Sequence, residues 1–263
     1  MTQTHQGALG HGLLTHAAGR SPGVSGALGS LYHPGLGGFT TITRVQELPD
    51  SPDAQVAATV GVMAQYALED STDPEVRGQA ASALRENGGD PNSYSDVDAV
   101  HAVWSYIRSR LSFVQDGVTG APAADLFGQP VIESVTRPRD IASWGVGDCD
   151  DYATWGACLL TALGVPCRFV TVAADARVPG EYSHVYLVAY PEVDGTVIRV
   201  PMDLSHGKQV GWETANKYGK LREWELQECA SGVGGGECLE ALSLAAVFGV
   251  GLWQAYKRQR RSA

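Results

Sequence analysis

Gly147-Asp148-Cys149-Asp150-Asp151-Tyr152-Ala153 sets the frame into which the rest of this sequence must fit. An apolar run from Tyr152 to Leu163 follows the cysteine and stops at Gly164-Val165-Pro166. Leu159, Leu160 and Leu163 recur at the spacing of one helix face, and a glycine with proline just beyond it is a helix stop. The spacing therefore predicts a helix with Cys149 in its first turn. Unpaired backbone N–H groups and the positive end of the helix dipole favour a thiolate there. A nucleophilic cysteine also needs a base and a group that orients the base. His184 and Asp203 are the downstream candidates. Asp148, Asp150 and Asp151 are the acids a helix start favours in any case, so no metal is expected. Their charge opposes the thiolate.

Composition narrows the class. At 263 residues the chain can hold one large domain, or one domain with appendages. A net charge of −10 argues against nucleic-acid binding, which rests on clustered Lys and Arg. Five cysteines without a CxxC pair give neither a structural zinc site nor a disulfide framework. The N-terminus lacks the basic and apolar regions of a signal peptide, so mostly free thiols in a reducing cytoplasm are expected. Nothing in the sequence implies a cofactor.

In chain order, residues 1–48 are a glycine-rich arm, with few charges and no sustained period. The arm reads as flexible, or as ordering against an assembly partner. Residues 49–95 are a helical lead-in. Ser51-Pro52 opens one helix carrying Val56, Val60, Met63 and Ala67, and Asp73-Pro74 opens another carrying Val76, Ala80, Ala83 and Leu84. Ser95 caps a third, whose stripe Val97, Val100, Trp104, Ile107 and Leu111 steps by three and four. A long loop runs from 117 to 140. After the cysteine helix, strands are expected over 167–173, 183–190 and 196–203, the last two joined by a loop at Pro191 to Gly195. A hairpin joined there is expected to set His184 and Asp203 across from each other. A helix packed on that sheet would then bring Cys149 to them. Residues 205–230 are mixed and polar, and His206 reads as a loop residue. Residues 231–263 are a glycine hinge and an apolar helix ending in Lys257-Arg258-Gln259-Arg260-Arg261. Leu239 to Tyr256 falls near the lower limit for a membrane span, and burial within the chain or at an interface suits it better.

The stretch from about 96 to 213 resembles the transglutaminase-like superfamily of the papain-like cysteine fold. Val103-Trp104-Ser105-Tyr106-Ile107 through Phe113-Val114-Gln115-Asp116 resembles the family's helix and following extended segment. The Gly147–Ala153 stretch with Leu159 to Arg168 resembles its nucleophile helix and strand. Ser183-His184-Val185-Tyr186 resembles its histidine strand, and Pro201-Met202-Asp203 its acid. The acids after Cys149 and the helical lead-in are similar to transglutaminase-like proteins of tailed bacteriophages and prophages.

The resemblance implies an α+β fold with a nucleophile helix packed on an antiparallel sheet, a catalytic domain over 96–230, an N-terminal helical lead-in and a C-terminal apolar helix. It implies a triad of Cys149, His184 and Asp203 that forms an acyl-enzyme, released by water or by an amine. Hydrolysis of an amide or peptide bond is the expected reaction. The backbone N–H of Cys149 is one oxyanion donor, with Gln115 and Trp144 as candidates for the second. The alternative is a non-catalytic virion or tail component that uses the fold as a scaffold. Expected partners are a peptide or protein substrate, assembly partners through residues 1–48 and 237–263, and membrane contact through the last helix. The expected location is the host bacterial cytoplasm or the phage virion.

Overall fold

In a computed structural model, the described residues are 51–114 and 135–231, together with the backbone of a hairpin, β1 (Gly29–His33) and β2 (Gly38–Ile42). That hairpin gives regular antiparallel pairing to an arm whose sequence shows no period. Gln115 and the C-terminal apolar helix expected at 237–263 lie outside the described residues. Among the described residues, no helix is long and apolar enough to cross a membrane.

Three helices come first, and their caps explain where they start. In α1 (Pro52–Asp70), Ser51 accepts the N–H of Ala54. In α2 (Pro74–Glu86), Asp73 accepts that of Glu75. In α3 (Asp96–Arg108), Ser95 and Asp98 form a reciprocal capping box. The stripes read from spacing face inward: Val60, Met63, Ala67, Val76, Ala80, Ala83, Leu84, Val97, Val100 and Ile107 are all buried. Three elements follow in stretches with no strong periodic signal. β3 (Ser112–Phe113) runs parallel to β4 (Val146–Gly147), and between them lies α4 (Pro138–Trp144), which Gly145 ends in the left-handed conformation.

Next comes α5 (Cys149–Ala162), with Asp148 as N-cap and Leu163 as C-cap; Gly164 follows at φ 77°. Buried on nearly every side, α5 is the central helix of one core shared by the lead-in helices and the sheet. Trp155 Nε1 donates to Gln79 of α2 at 3.0 Å. At Gly156 a Cβ would lie 2.4 Å from a Leu204 methyl and 3.1 Å from a Leu187 methyl, so this glycine lets helix and sheet approach.

The sheet comprises β5 (Cys167–Val172), β6 (His184–Ala189), β9 (Val200–Met202) and β10 (Leu221–Glu225), antiparallel throughout in the order β10-β5-β6-β9. A separate hairpin, β7 (Glu192–Val193) with β8 (Thr196–Val197), links β6 to β9, and α6 (Leu226–Ala230) follows β10. The strand expected over 196–203 is thus interrupted at Ile198 and Arg199. Val193 pairs with Thr196, so the turn is Asp194-Gly195, with φ of 51° and 74°. The hairpin centre therefore lies one residue beyond the midpoint of His184 and Asp203, and the expected pairing shifts by two. Leu187 faces Met202, which sets Tyr186, not His184, opposite Asp203. Parity survives this shift, so His184 and Asp203 remain diagonal neighbours on one face.

That face is not the one α5 covers. Val185, Leu187 and Ala189 enter the main core with α5, whereas Tyr186 and Val188 join Val170 and Val172 in a second cluster. Its surroundings are polar: Arg199 bridges Glu213 and Glu223, and Tyr186 and Tyr190 donate to those same carboxylates.

Candidate active site

Cys149 is the first residue of α5 and His184 the first of β6, and both line a cavity of about 270 Å³. They meet at the end of the sheet rather than across its face. One wall comes from α1, with Val56, Thr59, Val60 and Met63; Thr171, Tyr182, Ser183 and Val185 line the other. The lead-in helix is therefore part of the site. Lys220 pairs with Asp53 at the start of α1 and lies over the Tyr182 ring, tying the two walls together.

Asp203 is fully buried and saturated. Its Oδ2 accepts from His184 Nε2 at 2.8 Å and from Thr214 Oγ1 at 2.6 Å. Its Oδ1 accepts from the N–H of His206 at 2.9 Å and the Ser205 hydroxyl at 3.1 Å. Burial alone would raise this carboxyl, but the hydrogen bonds from His184, Thr214 and His206 outweigh it and hold Asp203 at about 2. An ionised carboxylate only accepts, so His184 must carry its proton on Nε2. The other ring nitrogen, Nδ1, is left to exchange a proton with a thiol. The turn after β9 is itself braced. Arg108 donates to the carbonyls of Leu204 and Ser205, and Gly207 N–H donates to the Asp203 carbonyl.

The described cysteines form no disulfide. Burial pushes the thiol of Cys158 well up, and that of Cys167 to about 12, so neither competes as a nucleophile. Cys149 is only half-buried. Trp144 ends α4, half-buried, and is not among the residues lining the cavity.

Two groups of side chains have the donors for a cation. His184, Asp203 and His206 bring ligand atoms within 4.8 Å of one another, but both oxygens of Asp203 are already engaged. Asp148, Asp150 and Asp151, all buried, also converge within 4.8 Å, a donor set that suits a hard divalent ion. The Asp151 carboxylate accepts the N–H groups of Thr136 and Asp148, which ties the chain before α4 to the start of α5. Gly147 must be glycine here, because a Cβ would lie 2.7 Å from that of Asp151.

Three residues at the site escaped the sequence reading: Ser205, His206 and Thr214. All lie in irregular chain after β9, where no period points to them. The signal available was a histidine three residues beyond the candidate acid.

The transglutaminase-like superfamily model matches residues 83–203, which run from α2 through all three candidate residues to Asp203. That region of the chain is similar to the transglutaminase-like superfamily. No curated protein sequence matches the chain. Among solved structures, a candidate protease from Parabacteroides distasonis shares 13% identity at a TM-score of 0.37, over 61% of this chain and 31% of that one. A candidate cysteine protease from Cytophaga hutchinsonii shares 19% identity at a TM-score of 0.34, over 56% and 48%. LapG of Legionella pneumophila, in an EGTA-treated form, shares 18% identity at a TM-score of 0.36, over 64% and 84%. The alignments thus span less than half the length of the first two.

Proposed function

We propose that this transglutaminase-like region is a cysteine peptidase or amidase. Cys149 attacks a substrate carbonyl after His184 Nδ1 takes the thiol proton. His184 then returns that proton to the leaving amine. The acyl-enzyme that remains is hydrolysed when His184 deprotonates water. Asp203 holds the ring in the Nε2–H form and stabilises the imidazolium. The observation that carries this reading is the 2.8 Å bond from His184 to a buried, ionised carboxylate in a histidine that shares a cavity with Cys149. The backbone N–H of Cys149 serves as one oxyanion donor. The paired acids after Cys149 and the helices of the lead-in support the finer reading, an enzyme encoded by a phage or prophage.

The test is the rate of iodoacetamide labelling of each cysteine against pH, read by peptide mass spectrometry. Cys149 should label first near neutral pH and slow in His184→Ala. Labelling no faster than Cys158, or only above the ordinary thiol value of about 8.5, overturns the reading in favour of a non-catalytic scaffold.

A further inference from the structure

His206 sits where a second histidine has no obvious need to be. Its ring packs edge-on to that of His184, with centroids 4.8 Å apart, and at the same 4.8 Å from Phe113. Its Nδ1 lies 2.9 Å from Ser205 Oγ. Ser205 has one hydroxyl proton and two polar neighbours, Asp203 Oδ1 and His206 Nδ1. Asp203 is ionised and can only accept, so the Ser205 proton goes to Asp203 and His206 must donate from Nδ1. The Asp203 carboxylate therefore receives two chains of donors. His184 donates directly to Oδ2, and His206 donates through Ser205 to Oδ1.

We infer that His206 is a positioning residue, whose Nδ1–H, relayed through Ser205, draws negative charge from Asp203 and so moderates how tightly Asp203 holds the His184 imidazolium. An acid that gripped the imidazolium too hard would slow return of the proton to the leaving amine. The inference rests on His184 and Asp203 acting as the catalytic pair proposed above. The charged and titratable groups facing His206 are His184 from β6, Asp203 after β9 and Arg108 from α3. Partial burial, with the nearby His184 and Arg108, keeps His206 below an ordinary histidine despite Asp203, so it is neutral, and its relay intact, near pH 7. Gly207 supports the arrangement. A Cβ there would meet the Asp203 carbonyl oxygen at 2.4 Å and Trp104 at 2.7 Å, so only glycine lets the turn close with both donors in place.

The test is nitrogen NMR of the full chain with labelled histidine rings, which reports the proton on each ring nitrogen without turnover. At neutral pH, His206 should be protonated on Nδ1 and bare on Nε2. In Ser205→Ala and His206→Ala, the His184 ring should titrate about half a pH unit higher, a fraction of one hydrogen bond's worth. His206→Asn, whose amide nitrogen can stand in for Nδ1, should restore most of the difference. An Nε2–H tautomer at His206, or one His184 midpoint shared by parent and variants, overturns the inference. Because the readout is independent of Cys149 labelling, failure of the relay and failure of the proposed reaction are distinguishable.

Discussion

At the scale of single residues, Asp203 carries the most consequence. Its carboxyl titrates at about 2 when folded against an ordinary 3.8, so the unfolded chain takes up a proton first as pH falls. The stability this confers is complete above about pH 4 and is lost as pH drops through about 2, a difference of about 2 kcal/mol. Urea unfolding of the parent and Asp203→Asn at pH 7 and pH 3 should show a smaller pH dependence in the variant. The same variant places an amide where His184, Thr214, Ser205 and His206 all donate, so Cys149 labelling should fall at least about a hundredfold. That Cys149 opens a helix, and that His184 and Asp203 fall on one face of adjoining strands, was legible in the sequence, because periodicity and turn residues mark those elements. Ser205, His206 and Thr214 were not, because their placement depends on a turn folding back over β9.

At the scale of elements, the Asp194-Gly195 turn fixes the register on which the His184–Asp203 geometry depends. Both residues have positive φ, as a type I′ hairpin turn requires. Asp-Gly is the strongest short-range signal for such a turn, yet a loop drawn from Pro191 to Gly195 misplaces the hairpin's centre. The expected pairing of His184 with Asp203 was off by two residues, and the two stay on one face only because that offset is even. Gly195→Ala should lower stability by about 1 kcal/mol in urea titration. The helix caps and stripes were legible because side-chain spacing states them directly. β10 was not: Leu221-Arg222-Glu223-Trp224-Glu225 is an edge strand whose charged residues pair with Arg168 and Arg199, and it reads as polar loop. The junction of α1 and α4 carries a further prediction. Asp70 is 3% exposed and is held by Arg137. Arg137→Ala removes that carboxylate's charged partner, leaving it the N–H of Arg139 as donor, and should cost about 3 kcal/mol, visible as a lower urea midpoint.

Across the whole molecule, one core joins α1–α3 to α5 and the sheet. The helical lead-in is therefore expected to unfold with α5 and the sheet rather than before them. Tryptophan fluorescence, which includes Trp155 at the α2–α5 contact, and far-ultraviolet circular dichroism should give coincident urea transitions. Separate transitions would mark two independent units. The same packing makes α1 a wall of the cavity, although α1 contains none of the three candidate catalytic residues. The chemistry and the shape of the space beside it are thus written in separate stretches of the gene. A change at Val56 or Thr59 alters what fits next to Cys149 while leaving the reacting groups as they are. On the proposed reaction, descendants of this chain can drift toward new targets without first surrendering their chemistry.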